Sequence, residues 1–320
     1  MAEKIRSEFQ EGRVFLFLDE VQEWENWDAR LRWLHDVKDF KLVVSGSSSA
    51  LLSSEIPSRL RGRHSSTLLL PLSFAELVGE VKNDFRSTGR AKGVLEEYMK
   101  WGGFPDVWLH KSRERLVDAL NAMFYRDAVE RGSIRNVAEF REVFNYLLSS
   151  YSNPLTWNSL RKVMRHQGVE LDMKTIMNYA EYMRKAYLIF FTSRFSHSQR
   201  LISSLPRKVY VVDPGIASLF DQGMDEGRKL ENVVFLELLR RGWEVWYYRV
   251  DEEGEIDFLV KKGERNALIE VSLEIDDSHV KRLRRGMDSL HLREEILITL
   301  NEEDRDGIRI VPAWKWLAKD

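Results

Sequence analysis

The apolar positions near the start of the chain come in short unbroken runs. Val14 to Leu18 is five apolar residues in a row, preceded by Arg13 and closed by Asp19 and Glu20. An unbroken run of that length is the pattern of a strand covered on both faces, as parallel strands are. From Gln22 to Val37 the pattern changes. Trp24, Trp27, Leu31 and Leu34 recur at helical spacing and predict an amphipathic helix. Lys41 to Val44 predicts a second buried strand that runs into SGSSS at 45–49, and Ser66 to Leu70 predicts a third.

Helical periodicity dominates the middle. Lys92–Trp108 and Ser112–Arg131 read as helices, with WGGFP at 101–105 as a break. Val137–Ser150 is another, closed by Ser152, Asn153 and Pro154. Thr156 is placed to cap Trp157–His166, and Gly168 to end it. Asp172 is placed to cap Met173–Tyr187, whose inner face would carry Ile176, Tyr179, Ala180, Met183 and Tyr187. Strands are predicted at Leu188–Phe195 and Lys208–Val212. Three helices and a β-wing make a winged helix-turn-helix, whose last helix can enter a major groove. Lys174, Asn178, Glu181, Arg184 and Lys185 would face outward on it, which makes Lys174, Asn178, Arg184 and Lys185 the candidate nucleic-acid contacts. The remaining pattern is a helix at Arg228–Arg241 and strands at Glu244–Tyr248, Glu255–Val260 and Ala267–Ser272, with a hairpin turn at 251–254.

Composition narrows the class. The 320 residues, 43% hydrophobic and 31% charged, provide for two or three folded domains. No apolar run approaches the roughly 18 residues of a membrane span. The opening MAEKIRSEFQEGR has no apolar core for a signal or anchor, so a cytoplasmic location without membrane partners is expected. Zero cysteines exclude disulfides, thiol catalysis and cysteine-held metals. High Lys, Arg and Glu content without cysteine leans toward a heat-adapted source. Net charge is −2, but Pro154 to Lys208 holds ten Lys or Arg against three Asp or Glu. That local +7 suits a nucleic-acid surface. It suits equally a face docked on the acidic remainder of the same chain.

Acids at the carboxyl end of a parallel strand lie where open α/β sheets bind ligands. RVFLFLDE resembles the Walker B motif of P-loop ATPases. There Asp19 would hold Mg²⁺ and Glu20 would be the catalytic acid that polarises the attacking water. Ser45 or Ser47, at the end of the neighbouring strand, could sense the γ-phosphate, and Arg61 or Arg63 in LRGR could read it as an arginine finger does. DEVQ, SGSSS, LLSSEI, LRGR and PLSFAEL occur in the order and spacing of archaeal and bacterial AAA-like ATPases of unassigned cellular role. YMKWGGFPDV, FYRDAVERGSI, SLPRKVYVVDPGIA and LENVVFLELLRRG extend the resemblance over nearly the whole chain.

The family's phosphate cradle, GxxxxGK[S/T], is missing: none of the 18 glycines is followed by Lys and then Ser or Thr. A truncated start, or a degenerate member, is expected, with weak or absent binding of ATP and Mg²⁺. The expected α/β architecture is a partial P-loop ATPase sheet (1–90), a helical lid (91–136), a winged helix (137–212) and a restriction-endonuclease-like domain (213–320). The last resembles the PD-(D/E)XK core through GEIDFLV and LIEVS. The resemblance implies metal ligands at Asp257 and Glu270 and a helical acid at Glu231, but Ser272 stands where the lysine belongs. Lys281 could substitute, while Lys281, Arg282, Arg284 and Arg285 read more simply as a solvated face. An AAA-like ATPase-family protein associated with DNA or protein is the leading reading. A non-catalytic DNA-binding adaptor is the second, and a Mg²⁺-dependent nuclease the third.

Overall fold

The computed structural model describes residues 14–36, 40–46, 65–79, 88–130, 132–196, 198, 205–221, 225–250, 254–300 and 308–319. Ser47, Arg61 and Arg63 lie outside the described residues. Contacts divide the chain into two compact units, residues 1–69 with the short piece 185–187, and residues 70–184 with 188–320.

In the first unit β1 (Val14–Leu18) and β2 (Phe40–Val44) pair in parallel, Val14 opposite Phe40 and Leu18 opposite Val44. Helix α1 (Trp27–Asp36) crosses between them and buries Leu31 and Leu34. Leu34 packs with Phe40, Leu16 and Leu42, and Leu31 with Val21, Leu18 and Trp27. The predicted helix start at Gln22 needs correction. Val21–Glu23 is a single 3-10 turn, Trp24 is extended and Asn26 has φ 53°, so helix geometry begins at Trp27. The expected strand over Ser66–Leu70 does not form either; the segment is irregular, with Leu69 92% exposed.

The second unit opens with α2 (Phe74–Val78), fixed by a reciprocal capping box between Ser73 and Glu76. Helix α3 (Thr88–Trp101) stops at Gly102, and α4 (Pro105–His110) restarts with proline in its first turn. The single helix expected over Lys92–Trp108 is therefore two. Glycine is required at the break: a Cβ on Gly103 would lie 2.0 Å from the Leu72 carbonyl oxygen, and Gly102 has φ 74°. Helix α5 (Arg113–Ala122) continues as a π-helical segment, Met123–Glu130, and α6 (Val137–Ser149) follows.

Helices α7 (Trp157–His166) and α8 (Met173–Lys185) start at the expected caps, Thr156 accepting from Ser159 N and Asp172 from Thr175 N. They associate with a small antiparallel sheet of order β3-β5-β4, made of Pro154–Leu155, Arg207–Val211 and Ile189–Ser193. Two-residue β3 is too short for any periodicity to announce it.

After α9 (Pro214–Phe220) and α10 (Glu226–Arg240) comes a five-stranded sheet. Strands β6 (Glu244–Val250), β7 (Gly254–Lys262) and β8 (Arg265–Val271) form an antiparallel meander. Helix α11 (Asp277–Leu290) crosses over to β9 (Glu295–Thr299), parallel to β8, and β10 (Ile310–Pro312) is parallel to β9. The order is β10-β9-β8-β7-β6, and α12 (Ala313–Leu317) closes the chain. Tyr210 stacks on Phe235 at 3.8 Å between ring centroids, with Phe258 beside them, in a core shared by β5, α10 and β7.

Candidate functional site

Carboxylates gather in two places of opposite character. At the carboxyl ends of β1 and β2, the parallel register brings Asp19 next to Ser45. The Ser45 hydroxyl donates to Asp19 Oδ1, which also accepts the Glu20 N–H at 3.1 Å. Two backbone bonds fix the loop pair, Ser45 N to the Leu18 carbonyl at 2.9 Å and Val21 N to the Ser45 carbonyl at 3.3 Å. Glu20 adopts the left-handed conformation, φ 46° and ψ 46°, which for a non-glycine residue costs strain and sharply redirects the chain after Asp19. Asp19 and Ser45 are both exposed. A carboxylate and a hydroxyl side by side are hard oxygen donors of the kind that hold hydrated Mg²⁺. Asp19 and Ser45 would hold such an ion, which would supply charge neutralisation for bound phosphate.

The second gathering is buried in the other unit. Glu231 lies on α10, Glu255 and Asp257 on β7, and Glu270 on β8. Lys208 enters from β5, its residue only 2% exposed. Its Nζ lies 2.7 Å from Glu255, 2.9 Å from Glu231 and 3.2 Å from Asp257. Tyr210, two residues along the same face of β5, donates to Glu231 at 2.7 Å. The other Asp257 oxygen accepts the Val271 N–H at 3.0 Å. Glu270, 3% exposed, is ion-paired to Arg282 through Oε1, while its Oε2 has no hydrogen-bond partner. Asp257 and Glu270 thus occupy neighbouring strands, as the resemblance implies, yet each faces a basic side chain of the protein.

Electrostatics follow from that arithmetic of two cations for four acids. Burial alone would lower the Lys208 pKa, but Glu231, Tyr210, Asp257 and Glu255 more than reverse it, so the ammonium stays charged. Burial pushes Glu231 up to about 8, against the pull of Lys208. Burial and the charge of Asp257 push Glu270 to about 8, with Arg282 opposing. Among the described residues no group of three or more His, Asp or Glu side chains is arranged to hold a metal ion; the three acids that do converge meet on Lys208.

Sequence reasoning missed Lys208 and Arg282 as members of this cluster. Arg282 was expected on a solvated face, and that placement is corrected: its side chain is only 15% exposed, against Glu270. For Lys208 a signal exists in RKVYV. A lysine sharing the period-2 face with Tyr210 in an otherwise apolar strand must find buried partners.

A third candidate surface is polar and open. Lys174, Asn178, Arg184 and Lys185 are all exposed on α8. Arg184 is held bidentately by Glu181 at 2.6 and 2.7 Å. Arg161 and Arg165 of α7 line a surface cleft with Glu170 and Asp172.

Three family models match successive stretches of the chain. Residues 1–78 match the AAA domain family. Residues 93–225 and 226–316 match two domains of unknown function, DUF8612 and DUF4143. An uncharacterized protein of Haemophilus influenzae is 25% identical over 95% of this chain and 78% of its own length. An uncharacterized protein of Methanocaldococcus jannaschii is 36% identical over 94% of this chain and 74% of its own length. Among the described residues no helix is long and apolar enough to cross a membrane. At that identity and coverage, the chain belongs to the family of the Methanocaldococcus protein, with an AAA-like domain at its amino end.

Proposed function

We propose that this AAA-like ATPase-family protein binds Mg·ATP weakly through Asp19 and Ser45, and associates with duplex DNA through the region of α7 and α8. The observation that carries the first part is the Asp19–Ser45 pair at the ends of two parallel strands, within the stretch that matches the AAA domain. Glu20, turned aside by its left-handed backbone, is the group for orienting an attacking water. The sequence has no GK[S/T] loop to cradle phosphates, so affinity is low and turnover by this chain negligible. Binding of a fluorescent ATP analogue tests this: Mg²⁺-dependent signal should disappear in Asp19→Asn and Ser45→Ala. Equal binding by wild type and both variants would refute it.

DNA association is supported by the order helix, short strand, helix, helix, two strands over Val137–Val211. That is the order of a winged helix-turn-helix, with α8 as the groove-facing helix. Lys208 is buried among acids, so the exposed bases of this stretch, such as Lys174 and Lys185, supply the phosphate attraction. The Glu181–Arg184 pair weakens the face for base reading and favours non-specific contact. A competing reading, the DNA-binding adaptor, has the same surface and no nucleotide response. It prevails if duplex affinity falls with salt but ATP has no effect on either binding or conformation. For the carboxyl-terminal module, α–β–β–β–α–β order fits the PD-(D/E)XK resemblance, whereas Ser272 at the lysine position speaks against cleavage.

A further inference from the structure

The acid cluster sits where the β3-β5-β4 sheet meets the carboxyl-terminal sheet, and several bonds around it tie the two together. Helix α10 grips β5 twice. Glu231 takes Lys208 and Tyr210, and the adjoining Asn232, fully buried, accepts Val211 N–H at 2.8 Å and donates to the Val211 carbonyl at 3.0 Å. A residue that satisfies both backbone groups of one strand position acts as a substitute for a neighbouring strand. Near the start of α10, Arg228 donates to the carbonyls of Ser149 and Tyr151, and Ser152 donates back to the Arg228 carbonyl. On the other side Thr192 donates to the Val245 carbonyl, Phe195 N–H donates to that of Tyr247, and Tyr247 donates to that of Pro206. Lys208 reaches across this seam into the acids with its ammonium, and Tyr210 joins it at Glu231.

We infer that the Lys208 ammonium is the resident cation of the Glu231–Glu255–Asp257 cluster. The cluster is then a clamp that locks the α6–α8 module to the carboxyl-terminal sheet, and not a metal centre. This goes beyond the DNA reading and stands without it. Each acid is turned to a partner of the chain. Glu231, Glu255 and Asp257 share one ammonium, and Glu270 takes Arg282. An ammonium with three carboxylate contacts and 2% exposure leaves no room at that point for a hydrated ion. Removing one partner of a buried ionic group leaves the others uncompensated, which is far more damaging than removing all of them together.

The clamp makes a paired demand on the full chain. Lys208→Met should lower the melting temperature by roughly 10 °C. It should also speed amide exchange in β4, β5 and β6 at least about tenfold. Adding Glu231→Gln and Asp257→Asn to Lys208→Met should recover much of the loss, since the two more deeply buried acids are then neutral and Glu255, 26% exposed, can be solvated. Should Lys208→Met fail to fold, recovery of folded protein by the triple variant still decides the matter. In parallel, Mn²⁺ uptake by wild type should be unchanged in Asp257→Asn. No stability loss in Lys208→Met, no recovery in the triple variant, or Mn²⁺ uptake abolished by Asp257→Asn would each overturn the inference. Because none of these readouts involves DNA or ATP, failure here is distinct from failure of the proposed function.

Discussion

Asp19 and Asp257 both sit in carboxylate sites on strands, and their surroundings could hardly differ more. Asp19 is exposed and accepts from a serine hydroxyl and one backbone N–H. Asp257 is enclosed by an ammonium, two further acids around that ammonium and the Val271 N–H. The first still offers oxygen valence to an incoming ligand. The second spends its valence inside the protein. Carboxylates alone do not make a metal or catalytic site; what matters is whether the fold has already supplied their counter-charges.

That contrast can be broken most forcefully at Lys208, where the roughly 10 °C loss in Lys208→Met should far exceed anything seen on neutralising Asp19. A steric counterpart lies at the α3–α4 break. Gly103→Ala would press a methyl against the Leu72 carbonyl and disturb the Gly103 N–H bond to Asp213 at 2.7 Å. A fall in melting temperature of about 5 °C or more is expected, measured by circular dichroism. On the α8 surface the effect should appear in binding instead. Replacing Lys174, Arg184 and Lys185 by alanine should leave stability nearly unchanged. Duplex affinity should drop, and the slope of its logarithm against log salt should lessen by about 2 to 3. An unchanged slope would move the contact elsewhere.

Smaller still is a pH effect at Asp213, a buried acid without any basic partner in hydrogen-bond contact. Burial raises it to about 6, although the N–H groups of Gly103, Ile216 and Gly215 pull it down. A carboxyl raised in the folded state adds stability below its unfolded pKa, and that contribution is lost as pH rises through about 6. Melting temperature should therefore fall modestly between pH 4 and 6.5 from this group, and Asp213→Asn should remove that component. Smallest is Asp19→Asn, expected to shift melting by no more than about 1 to 2 °C, because its hydrogen bonds are exposed to water.

Much of the fold was legible because burial imposes period. The runs VFLFL and KLVV became a parallel pair, but not one covered on both faces, since Phe15, Phe17 and Val43 are exposed; the caps at Thr156 and Asp172 started α7 and α8 where expected. The failures are local. Nothing in the spacing of Trp24 and Trp27 shows that Asn26 turns left-handed between them. Ser66–Leu70 has strand composition, yet among the described residues it has no strand to pair with. Of the candidate sites, Asp19 with Ser45 was readable from strand ends, and Asp257 with Glu270 only from the nuclease resemblance, Asp257 being mid-strand in β7. Lys208 was not, because its partners are 23 to 49 residues away and only tertiary packing of β5 on α10 joins them. Arg282 was hidden among three basic neighbours, Lys281, Arg284 and Arg285, where one-residue shifts around a helix separate buried from solvated positions.

One experiment sets the two acid sites directly against each other: titration of a fluorescent ATP analogue with Mg²⁺ into wild type, Asp19→Asn and Asp257→Asn. The account predicts weak binding in the wild type, its loss in Asp19→Asn and its retention in Asp257→Asn. Retention in Asp19→Asn with loss in folded Asp257→Asn would place the ligand at the cluster and contradict the account.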